Sequence, residues 1–89
     1  MVLAHLELQA ISDEHKIARY YIIELMTDLF NDLVIVVYFG AKGYRGRMRQ
    51  YSYPTIEDIY KRLYAMLKKR FQAQNRIGCN YELIFFYAN

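Results

Sequence analysis

At 89 residues the chain has material for one small core, and with 55% hydrophobic and 17% aromatic residues, one proline and four glycines it is too apolar for a disordered tail. The single cysteine excludes an internal disulfide, and no window approaches the length of uncharged apolar sequence that a membrane-spanning helix needs. The net charge of +3 hides a split: residues 1–32 carry two basic and six acidic side chains, a net −4, whereas residues 33–89 carry ten basic and three acidic, a net +7.

In chain order, MVLAHLELQAI alternates, with Val2, Ala4, Leu6, Leu8 and Ala10 on one side and His5, Glu7 and Gln9 on the other, which predicts a half-buried strand with an exposed His5. The polar SDEHK is a turn, and IARYYIIELM, rich in β-branched and aromatic residues, is a second strand made antiparallel by that short connection. TDLFND reverses the chain again. LVIVVYF is an uninterrupted apolar run of the kind that forms a central strand covered on both faces, or on one face plus an interface. The segment YFGAKGYRGRMRQY follows; its Gly40, Gly43 and Gly46 predict a wide, unobstructed loop before a strand in which Arg47, Arg49, Tyr51 and Tyr53 share one side.

Pro54 and Thr55 then open the one clear helix, with Asp58 at capping-box spacing from Thr55. Ile56, Ile59, Tyr60, Leu63, Met66, Leu67 and Phe71 recur at intervals of three and four, Lys61, Arg62, Lys68, Lys69 and Arg70 fall elsewhere on the cylinder, and Asn75 and Gly78 mark the stop. YELIFFY supplies one more strand. The expectation is an α+β fold in which residues 1–89 form a single domain, one antiparallel sheet of four to five strands with an amphipathic helix on one face.

The start of the chain has no basic region, apolar stretch or small-residue cleavage site of a signal peptide, so a soluble cytoplasmic protein is expected, nucleoid-associated if it binds DNA, with no membrane partner. Two histidines and one distant cysteine give no metal spacing, and no nucleophile with a base, or carboxylate pair, is set up for catalysis. The expectation is a protein that is not an enzyme and carries no metal or cofactor. Cys79 reads as a small core hydrophobe.

The glycine segment carries the chemistry that remains. Bare backbone amides beside Lys42, Arg45, Arg47 and Arg49 suit a phosphate, because amide donors and guanidinium forks act together. The segment lacks the GK[ST] ending of a nucleotide-hydrolysing loop and leads into a strand. Phe39 and Tyr44 offer rings for stacking, although a residue placed like Phe39, last in an apolar strand, is more often core than stacking platform.

The order of elements resembles the WGR domain, found in the DNA-damage-sensing poly(ADP-ribose) polymerases and in many small bacterial proteins. That family runs from a DLFG-type turn through an apolar strand to Trp-Gly-Arg, a loop with two further glycines, a basic strand and a basic helix. Here DLFNDLVIVVYFG is similar to the first part, with Phe39 at the tryptophan position, Gly40 on the middle glycine and Ala41 at the arginine position. Gly43 and Gly46 match the later glycines, and YPTIEDIYKRL resembles the helix start. The resemblance covers residues 16–82 and implies a module that engages DNA ends. Ala41 cannot contribute the family's arginine contact, so Lys42, Arg45 or Arg47 would have to replace it.

Two functions of different class are therefore expected. In one the chain is a nucleic-acid-binding module, for DNA rather than RNA, using Phe39, Lys42, Tyr44, Arg45, Arg47 and Arg49. In the other it is a non-catalytic interaction module that forms a homodimer or docks on a larger protein through LVIVVYF and surplus tyrosines.

Overall fold

A computed structural model describes residues 1–89. It is an α+β fold with one antiparallel sheet and a helix packed against it. The strands are β1 (Val2–Ser12), β2 (Ile17–Thr27), β3 (Leu33–Ala41), β4 (Arg47–Ser52) and β5 (Glu82–Ala88), with α1 (Ile56–Phe71) and a one-turn α2 (Gln74–Ile77) between β4 and β5. The order across the sheet is β4-β3-β2-β1-β5. Three successive hairpins build the first four positions. The chain then leaves the β4 edge, crosses one face as α1 and joins the opposite edge as β5.

The period of two in the strands determines what that helix covers. Leu6, Leu8 and Ala10 of β1, Tyr21, Ile23 and Leu25 of β2, and Ile35 and Val37 of β3 point to the helix side and are buried with Ile59 and Met66 of α1, Ala73 and Tyr81. Burying one such side chain contributes about 1.5–3 kcal/mol, so this layer holds the sheet and helix together. Thr55 caps α1 as its sequence suggests, its hydroxyl accepting from the Asp58 N–H at 3.2 Å.

LVIVVYF is an interior strand, second from an edge; its Val34 and Val36 face the helix-free side and are buried, so both faces of the strand are covered, as expected. Two expectations are corrected. The main helix stops at Phe71, and Gly78, at φ +100°, instead caps α2. The loop is tight, because Gly40 belongs to β3 and a Cβ at Gly46 would collide with the Tyr20 hydroxyl and the Phe39 carbonyl; Gly43 alone of the three takes positive φ, at +83°. Cys79 is partly buried against the core.

Candidate nucleic-acid interface

The odd-numbered residues of β2 to β4 place a row of side chains on the helix side at the β4 end of the sheet. Register pairs Arg19 with Ala41, Phe39 with Arg47, Val37 with Arg49 and Ile35 with Tyr51. From above, α1 lowers Arg62, Lys69 and Arg70 onto this row. The spacing of 62, 66, 69 and 70 runs along one stripe of the helix, and Met66 at its centre is buried. The result is a cleft of two adjoining depressions, about 280 and 200 Å³, that share Tyr21 and Arg70. Arg19, Phe39, Arg76 and Tyr81 line the first, and Arg49, Tyr51, Arg62 and Lys69 the second.

Cations and rings alternate in this cleft. The Arg70 guanidinium lies 3.9 Å from the centre of the Tyr21 ring, Arg62 lies 4.6 Å from Tyr51, and Arg49 lies 5.7 Å from Phe39. Such contacts hold an arginine in place through the ring quadrupole without neutralising its charge. Burial lifts the Tyr21 hydroxyl above its ordinary pKa, with Arg70 opposing. At Tyr51 burial also pushes upward, but the Arg62 and Arg49 guanidiniums outweigh it and the phenol titrates below the usual value. The field in the cleft therefore favours an anion.

No carboxylate lines either depression. The ion pairs of the molecule are two, both made by His5, so none of the twelve lysines and arginines has an acidic partner within 4 Å. The acids lie elsewhere. Asp28 organises the β2–β3 turn by accepting from the Phe30 and Asp32 amides, and Glu57 and Asp58 occupy the first turn of α1, where the helix dipole favours them. The Nε of Arg62 is buried and without a hydrogen-bond partner.

The residues expected from sequence divide by face. Phe39, Arg47 and Arg49 lie on the helix side, where Phe39 and Arg49 line or overhang the cleft and Phe39 also packs against the core. Lys42 falls on the other face and donates to Gln9 Oε1 at 2.6 Å. Tyr44 and Arg45 are exposed in the loop and line neither depression. Arg19, Arg62, Lys69, Arg70 and Arg76 belong to the cleft but not to the glycine segment. The signal for Arg62 and Lys69 was present, as two cations seven apart on one helix flank; Arg19 and Arg76 reach the cleft only through tertiary register.

The helix-free face is chemically different. The His5 ring is held by Glu7 Oε2 at 2.9 Å from Nε2 and by Glu24 Oε2 at 3.0 Å from Nδ1, so the expected exposed histidine is half-buried between two carboxylates. Two acceptors on two ring nitrogens suit the imidazolium, which donates from both. The Glu7 hydrogen bond raises the His5 pKa, burial opposes it, and Glu24 adds to the rise. A broad hollow of about 500 Å³ on this face is lined by Glu7, Gln9, Tyr20, Tyr38 and Lys42 among others, and its one cation is already engaged by Gln9. No helix is long and apolar enough to cross a membrane.

Comparison with protein-family models, with curated proteins and with solved structures gave no match to this chain.

Proposed function

We propose that this protein is a small, non-catalytic module that binds nucleic acid, with duplex DNA as its ligand, by seating backbone phosphate in the cleft between α1 and β2–β4. The observation that carries this reading is the concentration of Arg19, Arg49, Arg62, Lys69, Arg70 and Arg76 around four aromatic rings with no carboxylate among them. Cations assembled for folding alone would be expected to draw acidic neighbours, whereas here the charge is left for an external anion. Guanidinium forks bind phosphate oxygens in bidentate fashion, and the exposed Arg47 on the same side extends the positive track along β4. The resemblance of DLFNDLVIVVYFG and the following glycines to WGR domains supports the same ligand, with Phe39 and the cleft arginines in place of the tryptophan and the arginine replaced by Ala41.

Binding of this type is governed by counterion release and depends weakly on base sequence. Fluorescence anisotropy with duplex, nicked and single-stranded DNA over a salt series tests it. With about four phosphate contacts, log K against log salt has a slope of about −3 to −4 on duplex DNA. Absence of binding to every nucleic acid at ~50 mM salt would sink the proposal.

A further inference from the structure

The outer edge of β5 has no partner. The strand pairs with β1 on one side, and all seven of its residues are exposed, Leu83 to Tyr87 by 46–58%. Such an edge presents free backbone N–H and C=O groups, and chains that remain monomeric blunt it with lysine, proline or inward-pointing charge. ELIFFYA has none of these, only Glu82 at its start and then five consecutive large apolar residues; its one irregularity is a bulge at Ile84 against β1, beyond which Phe85 to Ala88 pair in regular register. The other edge is blunted, since Arg47 and Arg49 stand along β4.

We propose that β5 pairs with β5 of a second copy of this chain, antiparallel about a two-fold axis, so that two five-stranded sheets become one of ten strands. Antiparallel pairing of identical edges is isologous and closes at two copies. The side chains of β5 suit their own copy. Phe85 lies on the helix-free face, its ring edge-on to His5 at 5.8 Å, as does Tyr87 opposite His5, whereas Phe86 opposite Leu6 lies on the helix side. A pairing centred on Phe86 keeps like faces together. It sets Phe86 against Phe86 on one side and Phe85 against Tyr87 on the other, and these are cross-strand aromatic pairs. Glu82 falls beyond that centre and meets no second glutamate.

Charge favours a second copy at this edge and disfavours one elsewhere. The cationic cleft lies over β2–β4, and β3 stands three strands from β5. Seven strand spacings separate the two copies of β3 in the dimer, about 34 Å. That is several times the Debye length of ~8 Å at physiological salt, so the two basic clefts barely repel. Contact through β4 would bring them together.

Sedimentation equilibrium or light scattering of the intact chain over ~10–200 μM tests the pairing. The expected species is a dimer of the 10.7 kDa chain. Phe86→Lys gives a monomer with unchanged far-UV circular dichroism, because the substituted side chain is exposed in the single copy and faces its own charge in the pair. Tyr87→Lys decides the matter if Phe86→Lys fails to fold, and Met48→Lys on β4 leaves the dimer intact. A wild-type monomer at ~200 μM overturns the proposal and leaves the edge to a strand from a different protein. A dimer that survives both β5 substitutions overturns it as well.

Discussion

β4 and β5 close the same sheet at opposite ends and solve the edge problem in opposite ways. β4 carries Arg47 and Arg49 on the helix side, so the charges that deter a stray strand also extend the cationic cleft. β5 carries aromatic and branched residues on both faces and one acid at its start. The acids near it, Glu7 and Glu24, are turned inward onto His5, and no lysine or arginine balances them. The lesson is that a net charge of +3 describes neither end of this molecule: the β4 end gathers cations without acidic partners, and the β5 end joins apolar side chains to a few acids.

The comparison breaks first at the cleft. Arg49→Glu with Arg70→Glu reverses charge at two positions over aromatic rings and is expected to weaken duplex DNA binding at least tenfold in an anisotropy titration, while Lys42→Glu on the opposite face changes it less than about twofold. Equal losses from both would mean that the whole surface acts as a diffuse positive field and the cleft has no special part. The glycine turn that joins β3 to β4 gives a smaller effect, on folding. Gly46→Ala is expected to cost more than about 1 kcal/mol, because its Cβ would meet the Tyr20 hydroxyl and Phe39 carbonyl, and Gly43→Ala about 1 kcal/mol, because a side chain at φ +83° is strained although nothing lies near it. Urea midpoints of the two variants test this order.

The smallest effect belongs to the β1 side of the sheet and depends on pH. The folded pKa of His5 is raised above 6.5, so the folded state holds the proton more tightly than the unfolded chain. The stabilisation is fully present below about pH 6.5 and is lost as the pH rises through the folded value. Wild type should therefore exceed His5→Gln in denaturant midpoint by more at about pH 5.5 than at about pH 9, and a gap independent of pH would mean that packing, not charge, is what His5 contributes.

Alternation and apolar periodicity made the four hairpin strands, the helix and its Thr55 cap legible in the sequence, because each is a local pattern with a local cause. The position of β5 was not legible. Whether YELIFFY joins β1 or β4 depends on how far α1 carries the chain over the sheet, and no short stretch of residues encodes that span. The same limit applied to the cleft. Alternation in RMRQYSY put Arg47 and Arg49 on one side, and the register brings Phe39 beside them, but the period of two sends Lys42 to the other, and Arg19, Arg62, Arg70 and Arg76 arrive from three further segments that meet only when the sheet is paired. Gly40 and Gly46 looked like freedom for a loop and are instead clearance for Tyr20, a side chain twenty residues earlier than Gly40.

The pairing of β5 with β1 also governs the order in which the chain assembles. The hairpin registers join near neighbours, as Ser12 with Ile17, whereas Leu6 must find Phe86. Closing a loop of ~80 residues in place of one of about five costs roughly 2–3 kcal/mol more in chain entropy. Nothing on the outer side of β5 offsets that cost within one chain. The first four strands consequently form early and the last strand docks late and opens first, so that at low concentration the amides of β5 exchange with solvent ahead of those of β2; slower exchange in β5 than in β2 would contradict this sequence of events.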